Sequence, residues 1–148
     1  MDRISRVRKF CLSVELEALR GSCERNQVGC IAVKDNRVIA TGYNGAPKGV
    51  PHCTHDLKKE NDPKYGAYPG CQVAVHAEAN LIAFSARHGI ALESCDIYCT
   101  HSPCLKCAQL IINAGIKKVY YMAEYRIKEG IDLLKYVGIK TKLINLGD

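Results

Sequence analysis

Two short motifs constrain this chain of 148 residues more than any other feature of its sequence. The first is His76-Ala77-Glu78, and the second is Pro103-Cys104-Leu105-Lys106-Cys107. Zinc binds imidazole nitrogen and thiolate sulfur, and a site with three protein ligands keeps a fourth position for water. His76, Cys104 and Cys107 therefore predict a catalytic zinc site, and Glu78 remains free to move protons.

Each motif has a more ordinary interpretation when it stands alone. Cys-x-x-Cys also occurs in redox pairs and structural zinc knuckles, and His-x-Glu is common by chance. Ser102 is a good N-cap and Pro103 a good first helical residue, so Cys104 and Cys107 are expected to open a helix with both sulfurs on one face. The dipole of such a helix favours thiolate.

The spacing of His76 and Glu78 adds a second constraint. Residues two apart do not share a helix face, so these side chains can converge only near the end of a helix. We therefore expect His76 at the start of a helix. Together and in this order, the two motifs favour a catalytic zinc over a purely structural ion or a redox dithiol.

Hydrophobic periodicity and turn residues divide the chain into alternating elements. Helices are predicted at 3–19, 76–88, 103–114 and over a fourth segment with Ile127, Ile131, Leu134 and Val137; strands are predicted at 28–33, 38–43, 96–100, 118–121 and 141–144, with a hairpin turn at Asp35-Asn36. This order predicts an α/β fold, a three-layer α/β/α sandwich with a mixed five-stranded sheet. The Gly- and Pro-rich stretch 44–72 predicts a long loop, either functional or disordered.

Length and composition limit the class of protein. The length predicts a single domain over residues 1–148. The cysteine count of nine is odd, and no secretory segment opens the chain, so a reducing cytoplasm is expected. No apolar run approaches the ~20 residues of a membrane span, which predicts a soluble protein with no membrane partner. The net charge of +6 suits a phosphorylated small molecule, although the same excess could simply aid solubility.

The motifs resemble the zinc deaminase signature, H-x-E with a later P-C-x-x-C. Over nearly the whole chain, the sequence is similar to the cytidine deaminase superfamily and, within it, to the deoxycytidylate (dCMP) deaminases. The stretches that carry this likeness are Gly42-Tyr43-Asn44-Gly45-Ala46-Pro47, Pro51-His52-Cys53, His76-Ala77-Glu78-Ala79-Asn80, Ser102-Pro103-Cys104-Leu105-Lys106-Cys107 and Ile111-Ile112-Asn113-Ala114-Gly115-Ile116-Lys117-Lys118-Val119.

The resemblance implies a cytidine deaminase-like fold, a catalytic zinc and hydrolysis of dCMP to dUMP and ammonia, which would supply dUMP for dTMP synthesis. It also implies a homohexamer with dCTP as activator and dTTP as inhibitor, each bound with magnesium. In this likeness Glu78 is the acid and base that serves the water, the ring N3 and the departing amine.

Three further residues match positions that touch nucleotide in the family. The resemblance implies that Asn44 meets the sugar or base and that Tyr125 closes over the nucleotide. Arg87, about 16 Å along the helix from His76, suits a phosphate or a subunit contact. The ordinary alternatives are a turn asparagine, a half-buried surface tyrosine and a solvated helix end.

The other cysteines fall into two groups. Cys11, Cys30, Cys95 and Cys99 lie in apolar helix or strand patterns and are expected in the core, where cysteine behaves as a small hydrophobe. Cys23, Cys53 and Cys71 lie in polar loops, with His52 and His55 beside Cys53. They are candidates for a second, structural zinc, such as several family members carry, or else are loop thiols that bind nothing.

Other functions share the zinc motif. A deaminase of dCTP as well as dCMP, or of another cytosine or guanine derivative, would need only a different pocket. A nucleic-acid-editing deaminase would be expected to show a basic stripe or stacking aromatics, whereas this chain has spread lysines, no tryptophan and two phenylalanines. A stable nucleic-acid partner is therefore not expected. An inactive zinc-binding regulator would not need Glu78.

Overall fold

The structure is a computed structural model that describes residues 1–54, 71 and 73–148. Its helices are α1 (Arg6–Ala18), α2 (Ala77–His88), α3 (Leu105–Asn113) and α4 (Glu129–Tyr136). Its strands are β1 (Gly29–Lys34), β2 (Arg37–Tyr43), β3 (Asp96–His101), β4 (Lys118–Ala123) and β5 (Lys140–Leu143). The element order expected from the sequence is confirmed. Most of the predicted stretch 44–72 lies outside the described residues.

The five strands form one mixed sheet in the order β2-β1-β3-β4-β5. Strand β1 is antiparallel to both β2 and β3, whereas β3, β4 and β5 are parallel to one another. Asp35 and Asn36 both have positive φ, at 49° and 61°. Such a two-residue turn matches the twist of the strands that it joins, so the predicted hairpin is confirmed.

Alternating side chains of the strands enter two separate cores. Phe10, Cys11 and Val14 of α1 pack with Ile31 and Tyr98 on one face of the sheet. The other face packs against α2, α3 and α4 through the core residues Ala77, Leu81, Ala108, Ile111, Ile131 and Leu134. Because β1 and β3 contribute to both cores, the sheet is the middle of three layers, as predicted.

The four cysteines expected in the core are fully buried. Cys11, Cys30, Cys95 and Cys99 each have no exposed surface. Cys30 and Cys99 are neighbours across β1 and β3, and the Cys99 thiol donates to the Cys30 sulfur at 3.3 Å. All nine cysteines lie within the described residues, and none forms a disulfide.

Some predictions of individual positions were wrong. The fourth helix begins at Glu129, so Ile127 precedes it. Phe84 was expected on the apolar side of α2 but is 45% exposed. The buried side of that helix is formed instead by Ala77, Glu78, Leu81 and Ser85, which share one face at steps of three and four.

Within the described ranges, no helix is both long and apolar enough to cross a bilayer.

Two glycines let helices approach the backbone closely. A β-carbon on Gly42 of β2 would stand 2.5 Å from the carbonyl oxygen of Ala77 and 2.8 Å from the nitrogen of Leu81, both on α2. A β-carbon on Gly130 of α4 would collide with the backbone of Pro103 and Cys104. These contacts seat the start of α2 on the sheet and α4 against the start of α3.

Gly42→Ala is expected to destabilise the fold. The added methyl meets helix backbone rather than a flexible side chain, so α2 must shift, at a cost of about 1–3 kcal/mol in the free energy of unfolding. Denaturant unfolding measures the loss, with Thr41→Ala as the control because Thr41 is exposed on the same strand. An unchanged denaturation midpoint for Gly42→Ala would contradict the close packing.

Candidate active site

The first candidate ligand stands at the tip of α2. His76 is the N-cap residue, with extended backbone angles of φ −66° and ψ 152°, and its side chain makes no capping hydrogen bond. A cap residue precedes the helical geometry, so its side chain can leave the helix axis. Glu78 lies in the first turn and is only 5% exposed. The expectation that His76 starts a helix is confirmed.

The start of α3 differs from the prediction. Cys104, not Ser102, is the N-cap, and its sulfur accepts the N–H of Cys107 at 3.5 Å. The helix therefore begins at Leu105, after Pro103. The Ser102 hydroxyl is engaged elsewhere, because it accepts the N–H of Tyr125 at 2.6 Å. The two sulfurs nevertheless meet at the helix end, as the motif required.

The structure brings the three predicted ligands together. Nδ1 of His76 lies 3.4 Å from the sulfur of Cys104 and 3.5 Å from the sulfur of Cys107. Zinc stands ~2.0–2.3 Å from such ligands, and the edge of a tetrahedron of that radius is about 3.5 Å. The donor set and its spacing therefore fit a zinc ion.

The protonation of this cluster follows from its crowding. A hydrogen bond from the Cys107 thiol, helped by His76, lowers the pKa of Cys104 to about 4. The same hydrogen bond raises the pKa of Cys107. The hydrogen bond to Cys104 raises the pKa of His76. The negative charge of the cluster therefore lies on the Cys104 sulfur, where Cys107 and His76 stabilise it.

Glu78 shares this environment without belonging to the cluster of ligands. Burial raises the pKa of its carboxyl, and His76 partly offsets this effect. A buried carboxyl with a raised pKa beside a cavity is the usual setting of a general acid or base.

The cluster opens into a cavity of about 180 Å³. Its described lining comprises Cys23, Arg25, Asn26, Val28, Asn44, Cys71, Ala74, His76, Ala77, Glu78, His101, Ser102, Cys104 and Tyr125. Five segments of the chain contribute to it, namely the α1–β1 loop, the end of β2, the start of α2 with the residues before it, the end of β3 with the loop that follows it, and the loop after β4. The carboxyl ends of parallel strands are a common place for ligands in α/β sheets.

Asn44 lines this cavity and also holds its wall together. Its side-chain oxygen accepts the N–H of Val28 at 2.8 Å, and its side-chain nitrogen donates to the carbonyl of Asn26 at 2.7 Å. Its backbone carbonyl accepts the N–H of Ser22 at 2.9 Å. The residue is buried, with 7% exposure. Among the described residues, these bonds use one N–H and one lone pair of its amide and leave one of each for a ligand.

Of the other two predicted contacts, one lines the cavity. Tyr125 follows β4, is half-buried and lies among the lining residues. Arg87 lies in the last turn of α2, is exposed, and is not among the described residues that line the cavity.

Sequence reasoning missed three lining residues. Arg25 and Asn26 lie in the polar loop between α1 and β1, and His101 is the last residue of β3. The position of His101 was a usable signal, because side chains at the carboxyl end of a strand before a motif helix face the site. The loop offered no comparable periodic signal.

The second predicted cluster also forms. The sulfurs of Cys23, Cys53 and Cys71 lie within 4.8 Å of one another. Burial and hydrogen bonds to its two partners raise the pKa of Cys53 to about 12. Although burial acts in the opposite direction, the N–H of Ala74, 3.3 Å from the sulfur, lowers the pKa of Cys71. His52 is exposed and is not in this group, and His55 lies outside the described residues.

Known proteins are similar to this chain in both sequence and fold. Residues 3–123 match the cytidine and deoxycytidylate deaminase zinc-binding region. The chain is 36% identical to ComE operon protein 2 of Bacillus subtilis, with 100% of this chain and 76% of that protein covered. It is 40% identical to the deoxycytidylate deaminase of Mycobacterium phage D29, with 72% and 86% covered.

A solved structure extends this likeness to three dimensions. The crystal structure of dCMP deaminase from the cyanophage S-TIM5 in complex with dCMP and dUMP has a TM-score of 0.80 and 32% identity, covering 97% of this chain and 100% of that chain. Its fold agrees with the three layers described above. The motif match over residues 3–123 and the relatives that cover the chain thus show that it belongs to the cytidine and deoxycytidylate deaminase family.

Proposed function

We propose that this protein is a zinc-dependent dCMP deaminase, which hydrolyses dCMP to dUMP and ammonia. The observation that carries the proposal is the convergence of His76, Cys104 and Cys107 at a cavity that the buried Glu78 also lines. The relatives named deoxycytidylate deaminase and the S-TIM5 complex with dCMP and dUMP support the choice of substrate.

His76, Cys104 and Cys107 would hold the zinc. Zinc, when bound, lowers the pKa of water and so supplies a nucleophile near neutral pH. Glu78 would accept a proton from the attacking water and deliver it to N3 of the cytosine, which makes C4 more electrophilic. Glu78 would then take the second proton of that water from the new C4 hydroxyl and carry it to the amine as the C4–N bond breaks. One water is consumed and one ammonia leaves.

Three lining residues would bind the nucleotide. Arg25 places a guanidinium at the cavity, and such a planar cation pairs well with phosphate. Tyr125 would cover the nucleotide, and the N–H and lone pair of Asn44 that no described residue engages would meet the sugar or base. Because a guanidinium favours a phosphorylated substrate, this lining supports dCMP over deoxycytidine.

Several wider expectations from the family likeness belong to the same proposal. The chain would act as a single domain over residues 1–148, in the cytoplasm, and would supply dUMP for dTMP synthesis. It would assemble as a homohexamer, with dCTP activating and dTTP inhibiting it, each bound with magnesium. Arg87, exposed at the end of α2, would then serve a subunit or effector contact.

A second zinc would bind Cys23, Cys53 and Cys71. The gathered sulfurs and the chemistry of three thiols support it. Such an ion would tie the α1–β1 loop to the segments on both sides of residues 55–70.

Glu78→Gln is expected to keep zinc and lose turnover. The amide cannot shuttle protons, so kcat for dCMP should fall by at least the ~10²–10⁴ of a general acid and base. Ammonia release measures kcat, and elemental analysis measures zinc. Glu129→Gln is the control, because it makes the same change on the exposed side of α4. Wild-type turnover by fully loaded Glu78→Gln would contradict the role of Glu78.

Metal counting separates the two clusters. Fully loaded protein should contain two zinc ions per chain, and Cys107→Ser and Cys53→Ser should each lose one. Cys107→Ser should also lose turnover, whereas Cys95→Ala, which removes a buried thiol outside both clusters, should keep both ions. A single zinc in loaded wild-type protein would rule out the second site.

A substrate panel tests specificity. We expect ammonia release from dCMP, but not from deoxycytidine or a short cytosine-containing single-stranded DNA, and stimulation by dCTP with magnesium. Arg25→Gln should raise KM for dCMP by about tenfold or more, because it removes a charged partner of phosphate. Turnover of dCTP as well would broaden the substrate, and turnover of deoxycytidine at the same KM would contradict phosphate recognition.

A further inference from the structure

His101 is a polar cavity residue that neither motif includes. It is the last residue of β3, three positions before Cys104, and it lines the cavity together with Glu78 and Tyr125. Its ring is half-buried. Because it lies at the carboxyl end of β3 and lines the cavity, its ring can contact a molecule bound there.

A hydrogen-bond chain fixes one edge of the ring. The Thr100 hydroxyl oxygen accepts the N–H of Gly29 at 3.1 Å, and it lies 3.1 Å from Nδ1 of His101. A hydroxyl carries one hydrogen. If that hydrogen points to Nδ1, both groups are satisfied, whereas an Nδ1–H would leave the hydroxyl hydrogen without an acceptor among the described residues. The chain Gly29 N–H to Thr100 O–H to His101 Nδ1 is therefore the better-paired arrangement.

This arrangement determines what the ring offers to a ligand. With Nδ1 as the acceptor, a neutral imidazole carries its proton on Nε2. Nδ1 faces Thr100, which is not among the described lining residues, so the ring has its Nε2 edge left to offer to the cavity. Among the described residues, no hydrogen bond engages Nε2. Burial lowers the pKa of His101, which agrees with a neutral ring.

We propose that His101 is a positioning residue whose Nε2–H, oriented by Thr100, donates a hydrogen bond to an oxygen of the bound nucleotide. This role rests on the proposed nucleotide deamination and adds a specific donor to it. The acceptor is an oxygen of either the cytosine carbonyl or the 5′-phosphate, since both accept a neutral N–H in the same way. The bond forms before and during the reaction alike, so it serves binding more than the chemical step.

The tautomer is measured without any substrate. In long-range proton–nitrogen NMR of protein labelled at its five histidines, the ring whose signal is deleted by His101→Gln should have a protonated Nε2 and an unprotonated Nδ1 near neutral pH. Thr100→Ser, which keeps the hydroxyl, should preserve the tautomer, and Thr100→Val should weaken it. A protonated Nδ1 in the wild-type ring would overturn the proposal.

Three substitutions at His101 test the donor itself. The amide nitrogen of glutamine reaches the place of Nε2, whereas that of asparagine reaches the place of Nδ1. Zinc-loaded His101→Leu and His101→Asn should therefore raise both KM for dCMP and Kd for dUMP by about tenfold, with kcat changed much less. His101→Gln should recover most of the loss. Equal affinity in all three variants and wild type, or equal loss in all three, would overturn the proposal.

Comparison of dCMP with deoxycytidine identifies the acceptor. If the acceptor is phosphate, His101→Leu weakens only dCMP; if it is the cytosine carbonyl, both compounds weaken together. Calorimetric binding of dUMP keeps this test separate from the proposed reaction. Wild-type protein that binds dUMP but releases no ammonia would contradict dCMP deamination alone. Unchanged dUMP binding in His101→Leu would contradict the role of His101 alone.

Discussion

The site depends on the meeting of two helix ends. His76 and Cys104 are both N-cap residues with extended backbone angles, and they are 28 positions apart in the chain. Because a cap side chain is not confined to the helix surface, each can leave its own helix and approach the other. Nδ1 of His76 lies within 3.5 Å of both sulfurs only because α2 and α3 both start at the same edge of the sheet.

The two helix ends can meet only because other parts of the fold let the helices pack closely. Helix α2 can lie close to β2 because position 42 has no side chain, and α4 can press on the backbone of Pro103 and Cys104 because position 130 has none. Both cores then hold the helices from opposite faces of the sheet. The gathered groups also create an electrostatic demand, because the negative charge on the Cys104 sulfur lies beside the Cys107 thiol and the buried Glu78 carboxyl, whose pKa values are both raised. A divalent metal at the cluster would satisfy that demand, as the donor set suggests.

Much of this architecture was predictable because its signals are local. Periodicity located the helices and strands, and the turn at Asp35-Asn36 followed from residues that accept positive φ. The cap of α3 was not predictable from Ser102 and Pro103, because the N–H of Tyr125, 23 positions away, takes the serine hydroxyl. Phe84 was misassigned because the face of α2 that packs on the sheet is set by tertiary contact rather than by hydrophobicity alone.

The candidate site was predictable to the extent that it lies in motifs. The ligands and Glu78 stand in two short patterns, whereas Arg25, Asn26 and His101 enter the cavity through a loop and a strand end that carry no such pattern. Their placement depends on long-range hydrogen bonds, for example that of Asn44 to the carbonyl of Asn26. A single sequence contains the residues but not the pairing that brings them together.

Members of both cysteine clusters line the same cavity, which suggests that the two clusters have different roles there. Cys23 and Cys71 line it from one side and His76 and Cys104 from another. The loop that carries Cys23 also carries Arg25 and Asn26, and Asn44 fixes that loop through Ser22 and Asn26. A metal on Cys23, Cys53 and Cys71 would therefore fix the positions of Arg25 and Asn26 in the lining of the cavity. Under the proposed function its effect would lie in binding, because Arg25 and Asn26 on that loop line the cavity, whereas Glu78 is carried by α2.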